Sequence, residues 1–237
     1  MRDVIIARQF RGPPNSGNGG YVCGVVAQDI EGPATVALRA LIPLDTTLTL
    51  DGGKLAGADG TLIAQAVAAT STLPTPPTPP SLDAAREAGT RCLWIDKPFH
   101  PPCFTCSSIR EDGDGLRILP GQIEGAEPGH IACIWVPHAN FADAEGLIPD
   151  EIVWAALDCP GSLAGIVKTG SGGGLLGTMT AQVLHRPRAG QPTIVTAWPI
   201  EQSGRKSVAG VALFDAAGAL MARGSQIWIS RAPAAPR

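Results

Sequence analysis

A proline-rich segment near the first third of the chain limits how the protein can fold. Residues 72–81 read Thr-Leu-Pro-Thr-Pro-Pro-Thr-Pro-Pro-Ser and hold five prolines. Because proline lacks a backbone N–H and fixes φ, this stretch cannot form a helix or a central strand, and we expect it to run as extended polyproline. It predicts a tether between two units, residues 1–98 and 99–237. A chain of 237 residues is long enough for two units of about 100 residues each.

Each half contains one helix candidate that is apolar on nearly every face. Residues 19–27 have no polar face, and residues 149–157 are almost entirely apolar after their first turn. A helix of this kind must be surrounded by protein, and a curved antiparallel sheet is an economical way to enclose it. The sequence therefore predicts an α+β protein in which each half wraps a sheet around one buried helix.

Strand candidates follow both helix candidates. Short turn sequences at 202–205 and 216–219 join the last three of them, which indicates antiparallel hairpins. A second, short helix is predicted after Ser81, ending at Gly89. The apolar runs and strand candidates are 34–44, 61–69, 177–185, 193–201, 207–215 and 220–230.

Composition argues against several classes of partner. The net charge is −3 and only 16% of the residues are charged, so the chain lacks the basic stripe expected of a nucleic-acid binder. The N-terminal residues lack the apolar stretch of a signal peptide, and no run approaches the roughly 18 apolar residues of a membrane helix. We therefore expect a cytoplasmic protein with no membrane or nucleic-acid partner. Assembly into homo-oligomers is left open.

The six cysteines are expected to be reduced thiols. Cys103 and Cys106 form the only close pair, whereas a structural zinc site usually needs two such pairs or added histidines. His100 is the one further potential zinc ligand nearby in the sequence, and Cys92 is more remote. An ordinary turn with buried thiols is the favoured interpretation, and no metal or cofactor is expected.

The start of the first helix candidate carries a family resemblance. Gly17-Asn18-Gly19-Gly20-Tyr21 resembles the helix start of hotdog acyl-CoA thioesterases, in which a polar residue, often histidine, precedes two glycines. In that family an acid often lies nine residues after the polar residue, and here the count from Asn18 reaches Ala27. In the second half, Pro149-Asp150-Glu151 takes the place of the triplet, and the same count from Pro149 reaches Asp158.

This resemblance implies a double hotdog with one complete site. In paired hotdogs the glycine-rich helix start of one module faces the helix acid of the other, and here each helix carries one of these two features. The implied activity is hydrolysis of an acyl thioester, of coenzyme A or of an acyl carrier, at a single site between the modules.

The residues themselves suit that chemistry. Unpaired N–H groups of Gly19, Gly20 and Tyr21 at a helix N-terminus would stabilise the oxyanion, while Asn18 would cap the helix and orient the carbonyl or a water. Asp158 would act as general base or as nucleophile, and both roles stay open. We expect a raised pKa for Asp158, because apolar residues precede it and Pro160-Gly161 signals a helix end, whose dipole disfavours negative charge.

Further residues are candidates for substrate binding. Thr178, Thr180 and Gln182 alternate along one strand candidate, so they share a face that we expect to reach the site. Trp154 lies on the second helix candidate and is expected to line an acyl pocket.

Two other functions compete with hydrolysis. A hotdog hydratase or dehydratase would resemble this fold but typically uses a histidine, and neither helix candidate contains one. A non-catalytic acyl-binding or assembly protein would keep the fold without the chemistry.

Overall fold

The computed structural model describes residues 1–170 and 174–230. Within these ranges, eleven strands form one antiparallel sheet that is accompanied by three α-helices. The helices are α1 (Gly19–Ala27), α2 (Leu82–Gly89) and α3 (Asp150–Thr169). The strands are β1 (Arg2–Ile5), β2 (Ala34–Leu38), β3 (Thr47–Asp51), β4 (Lys54–Ala56), β5 (Leu62–Ala68), β6 (Gly121–Gln122), β7 (Ile131–Trp135), β8 (Gly174–Val183), β9 (Thr193–Ser203), β10 (Lys206–Asp215) and β11 (Leu220–Ser230).

The sheet joins two halves at a single seam. Its order is β1-β3-β4-β5-β2-β8-β11-β10-β9-β7-β6, so the strands around α1 stand on one side and the strands around α3 on the other. At the seam β2 pairs with β8, from Ala34 opposite Ala181 to Ala37 opposite Thr178. The hydroxyls of Thr35 and Thr180 lie 3.0 Å apart across it. The two halves thus share a continuous hydrogen-bonded ladder.

Helices α1 and α3 pack directly on each other. A Cβ on Gly20 would lie 2.6 Å from Cβ of Asp158, and a Cβ on Gly24 would overlap the backbone of Glu151. The two glycines let the helix backbones approach closely. Gly20 meets Asp158, whereas Gly24, one turn further along α1, meets Glu151, which precedes Asp158 in α3. The two helices therefore run antiparallel.

Helix α1 has the bounds that the sequence predicts. Asn18 precedes it in an extended conformation, and its Oδ1 accepts a hydrogen bond of 2.9 Å from the Tyr21 N–H. This cap satisfies one of the donors that a helix start leaves unpaired. Helix α2 is likewise confirmed, with Ser81 as its cap.

Helix α3 does not end at Pro160-Gly161, and that expectation was wrong. The helix continues to Thr169 and ends at Gly170 in the left-handed conformation, with φ 69°. Side chains from outside the helix also bond its carbonyls near Pro160. Thr105 Oγ1 donates to the Ala155 carbonyl and Gln226 Nε2 to the Leu157 carbonyl, each at 2.7 Å. This tertiary support accompanies the continuation of the helix past a proline.

The predicted hairpins β9–β10 and β10–β11 are confirmed. Residues 72–81 form neither helix nor strand. The chain that follows them contacts both halves: α2 packs on β7 of the second half, and Phe104 meets Phe10 of the first half edge to face at 5.0 Å.

No helix in the described ranges is both long and apolar enough to cross a membrane.

Candidate active site

The start of α1 meets the middle of α3 at a cavity of about 370 Å³. Asn18 and Gly19 from α1 and Asp158 from α3 all line it. The structure therefore brings together the two features that the sequence divides between its halves.

Asn18 connects the two helices through the two ends of its side-chain amide. While Oδ1 caps α1, Nδ2 donates to Asp158 Oδ2 at 2.7 Å. The side chain is only 1% exposed. Both the oxygen and the nitrogen of the Asn18 amide are thus hydrogen-bonded, which fixes the orientation of the amide beside the Asp158 carboxylate.

Asp158 is a buried carboxyl with an incomplete set of partners. It is 3% exposed, and burial is the main cause that raises its pKa to about 7. The nearby Gly20 amide and the Asn18 side chain lower the pKa and offset part of this effect. Oδ1 has no partner of ordinary hydrogen-bond geometry among the described residues. Because Asp158 lies in the middle of α3, the expected contribution of a helix end does not apply.

The three predicted oxyanion donors differ in what they face. The Tyr21 N–H is taken by the Asn18 cap, and the Tyr21 ring stacks on Phe10 with centroids 4.1 Å apart. Gly20 packs against Asp158. Gly19 lines the cavity, and its N–H makes no hydrogen bond within the described ranges. Gly19 is therefore the backbone donor best placed to meet a ligand, and Gly20 serves helix packing.

The strand residues predicted to bind substrate lie elsewhere. Thr178, Thr180 and Gln182 alternate with Met179 and Ala181, which belong to the core that contains both helices. Side chains alternate between the faces of a strand, so Thr178 and Thr180 point away from the helices, while Gln182 lines a separate cleft near Trp154. None of the three lines the Asp158 cavity. The expectation that they reach the Asp158 cavity is wrong, because Thr178 and Thr180 lie on the opposite face of the sheet and Gln182 lies at the other cleft.

Trp154 also does not line this cavity. It lies in a second cleft of about 310 Å³, beside Gln28 and Asp150. There Ala27 occupies the position at which the nine-residue count would require an acid. The second cleft thus has an alanine on α1 where the Asp158 cavity has its acid on α3.

Sequence reasoning missed most of the cavity wall. Trp94 and Phe99, from the segment between α2 and β6, join Trp228 of β11 in an apolar lining. Arg39 and His100 are the basic side chains of the lining. Irregular segments carry no periodic pattern, so nothing in the sequence links these residues to the helices.

Three cysteines complete the cavity lining. Cys103 and Cys106 come from the same irregular segment and Cys159 follows Asp158 on α3. Their sulfur atoms lie within 4.8 Å of one another. They are the group of metal-ligating side chains that the described ranges bring together.

Comparison of the fold shows what this arrangement resembles. No protein-family model matches the chain, and no curated protein matches it. Among solved structures, a protein of Novosphingobium aromaticivorans described as a candidate thioesterase superposes with a TM-score of 0.63 at 14% identity, over 97% of this chain and 95% of that one. The tesB protein of Mycobacterium avium subspecies paratuberculosis gives 0.61 at 11% identity, over 93% and 90%. The chain therefore has the hotdog fold seen in thioesterase-superfamily structures.

Proposed function

We propose that this protein hydrolyses an acyl thioester at a single site between two fused hotdog modules. One module comprises α1 with β1–β5 and the other α3 with β6–β11, joined through the proline-rich segment 72–81. The observation that carries the proposal is the meeting of Asn18, Gly19 and Asp158 at one cavity. The full-length likeness to the Novosphingobium structure described as a candidate thioesterase, and to the tesB protein, supports it at the level of the fold.

The chemistry uses one group from each helix. With the thioester carbonyl oxygen at the Gly19 N–H, negative charge that develops on this oxygen is stabilised by the helix start. Asp158 takes a proton from a water as that water attacks the carbonyl carbon, and the proton passes to the departing thiolate. The Asn18 amide holds the carboxylate in place. Products are a carboxylic acid and a thiol.

The alternative in which Asp158 attacks directly gives an anhydride that water then opens. Hydrolysis in ¹⁸O-labelled water separates the two routes. A single turnover puts label in the released acid when water attacks. When the carboxylate attacks and water then opens the anhydride at the Asp158 carbonyl, a single turnover instead puts the label in Asp158 and releases an unlabelled acid.

The cavity wall suits an apolar acyl group. Trp94, Phe99 and Trp228 offer aromatic surface, and Leu41 at the same cavity is 72% exposed. Arg39 offers a cation that a phosphate of coenzyme A or of an acyl carrier would approach. We infer a substrate with an apolar acyl chain and a phosphate-bearing thiol carrier.

A hydratase acting on an unsaturated acyl thioester is the second candidate. His100 lines the Asp158 cavity although it lies on neither helix, so the cavity does contain the residue type on which such enzymes rely. This reaction adds water to a double bond and releases no thiol. An assay that follows both thiol release and loss of the conjugated double bond therefore distinguishes the two activities.

The deciding experiment incubates the purified chain with acyl-CoAs of graded length and with an enoyl-CoA, in the presence of a thiol reagent. We expect thiol release that Asp158→Asn reduces by about 10²-fold or more, the range for loss of a positioned general base. Gln182→Ala, which does not line the Asp158 cavity, is the matched control and should keep its activity. Binding of the thioesters without turnover would instead identify an acyl-binding protein and overturn the proposal.

A further inference from the structure

Three cysteine sulfurs converge beside the Asp158 cavity. Sγ of Cys103 lies 3.6 Å from Sγ of Cys159, and Sγ of Cys106 lies within 4.8 Å of both. A tetrahedral zinc ion with Zn–S bonds of about 2.3 Å separates its sulfurs by roughly 3.8 Å. The three sulfurs are therefore close to the spacing that a single ion requires.

Hydrogen bonds fix the Cys103–Cys106 turn in place, and one of them joins it to α3. The Cys103 N–H donates to the His100 carbonyl at 2.9 Å and the Phe104 N–H to the Arg11 carbonyl at 2.7 Å. Thr105, between the two cysteines, donates through Oγ1 to the Ala155 carbonyl at 2.7 Å, one turn before Cys159. The turn is thus fixed to the helix that supplies the third sulfur, and the cluster is preassembled.

Within the described ranges, these three cysteines are arranged differently from the other three. A buried cysteine behaves as a small apolar residue, which describes Cys23, Cys92 and Cys133. The other three bring their sulfurs to one point from two distant parts of the chain. That point is also polar, because Asn18 Nδ2 lies 4.0 Å from Cys103 Sγ and 2.7 Å from the Asp158 carboxylate.

We propose that Cys103, Cys106 and Cys159 bind one zinc ion through three thiolates, with the fourth coordination position facing the Asp158 cavity. Binding releases the three thiol protons to solvent and changes no oxidation state. The ion would join the segment that supplies Trp94 and Phe99 to α3. The proposal concerns the cluster alone and does not depend on the hydrolysis of thioesters.

The test measures metal directly. The full chain, purified without added chelator or affinity metal, is stripped, reloaded with zinc and analysed by inductively coupled plasma mass spectrometry. Cobalt loading should give the intense thiolate charge-transfer and tetrahedral d–d bands. We expect about one ion per chain, with a loss of more than tenfold in affinity for Cys103→Ser, Cys106→Ser and Cys159→Ser. Cys133→Ser, a buried cysteine outside the cluster, should bind as the wild type does.

A second measurement covers variants that fail to fold. Alkylation of the unmodified chain in mild denaturant, mapped by mass spectrometry, should show that zinc protects these three cysteines and leaves Cys23, Cys92 and Cys133 unprotected. Zinc stoichiometry near zero with no cobalt bands would overturn the proposal. So would equal protection of all six cysteines, or an intact mass that shows two of the three joined in a disulfide as isolated.

Discussion

The side-chain amide of Asn18 donates a hydrogen bond to the carboxylate of Asp158, 140 residues further along the chain. The same amide caps α1 through its oxygen. One residue therefore determines both where the first helix begins and how the acid of the other half is oriented.

Asn18→Ser separates these two roles. Serine keeps an oxygen that can cap the Tyr21 N–H, but its side chain is too short to reach Asp158. We expect near-normal thermal stability and a 10- to 100-fold lower kcat for thioester hydrolysis, since a hydrogen bond to a charged group contributes about 1.5–3 kcal/mol. Ser81→Ala, which removes the cap of α2, should instead lower the thermal stability and leave kcat near normal. Full activity in Asn18→Ser would show that the amide does not position the carboxylate.

Close contact between α1 and α3 predicts different outcomes for two glycine-to-alanine changes. In Gly24→Ala the new methyl group would overlap the backbone of Glu151, which neither helix can relieve without moving. In Gly165→Ala the nearest atom to the new methyl group is Ser207 Oγ at 3.9 Å. We expect Gly24→Ala to lower the free energy of unfolding by about 1–3 kcal/mol and Gly165→Ala to raise it by about 0.5–1 kcal/mol. Urea denaturation measures both, and equal effects would refute the packing argument.

Burial of Asp158 predicts a pH-dependent stability that Asp158→Asn removes. An unfolded aspartate has a pKa of about 3.9, whereas in the folded protein the pKa of Asp158 is raised to about 7. The folded state therefore holds the proton more tightly, so this group's contribution to stability is full below about pH 4 and is lost as the pH rises through 7.

The variant should accordingly gain stability relative to the wild type between pH 4.5 and about 8.5, by an amount on the order of a few kcal/mol. Urea unfolding at both pH values, with EDTA present so that the thiol cluster holds no metal, gives the difference. A difference that does not change with pH would mean that the carboxyl is not desolvated.

Arg39 at the Asp158 cavity predicts a dependence on the thiol carrier. We expect Arg39→Ala to raise KM for an acyl-CoA by about 3- to 10-fold, as loss of an exposed ionic contact does. It should leave turnover of the matching acyl N-acetylcysteamine thioester, which has no phosphate, unchanged. Lys206→Ala on β10 is the surface control. An equal effect on both substrates would place Arg39 at the acyl group instead of the phosphate.

The sequence predicts structure best where a regular hydrophobic pattern is bounded by a capping residue or a short turn. Residues 19–27 are apolar throughout and follow a capping asparagine, and the hairpins after residue 193 have short turns between their strands. Both were therefore predictable. The nine-residue spacing that the family resemblance implies predicts Asp158 as the acid of the site.

Other features depend on tertiary contacts that no local pattern encodes. Pro160 signals a helix end, yet donors from Thr105 and Gln226 support α3 around it. Cys103 and Cys106 alone make a weak metal motif, and their third partner is distant in sequence. The face on which Thr180 lies follows from which side of the sheet the helices cover, and alternation by itself does not specify that.

Both halves of the sheet lie in one polypeptide and pair through the β2–β8 ladder, and this has an evolutionary consequence. In a homodimer every substitution appears twice, so neither of two symmetry-related clefts can change alone. Here Ala27 and Asp158 are encoded by separate codons of one gene. A substitution in one cleft therefore leaves the other cleft unchanged. A gene of this form can keep one cleft under selection for its chemistry and leave the other available for a new ligand.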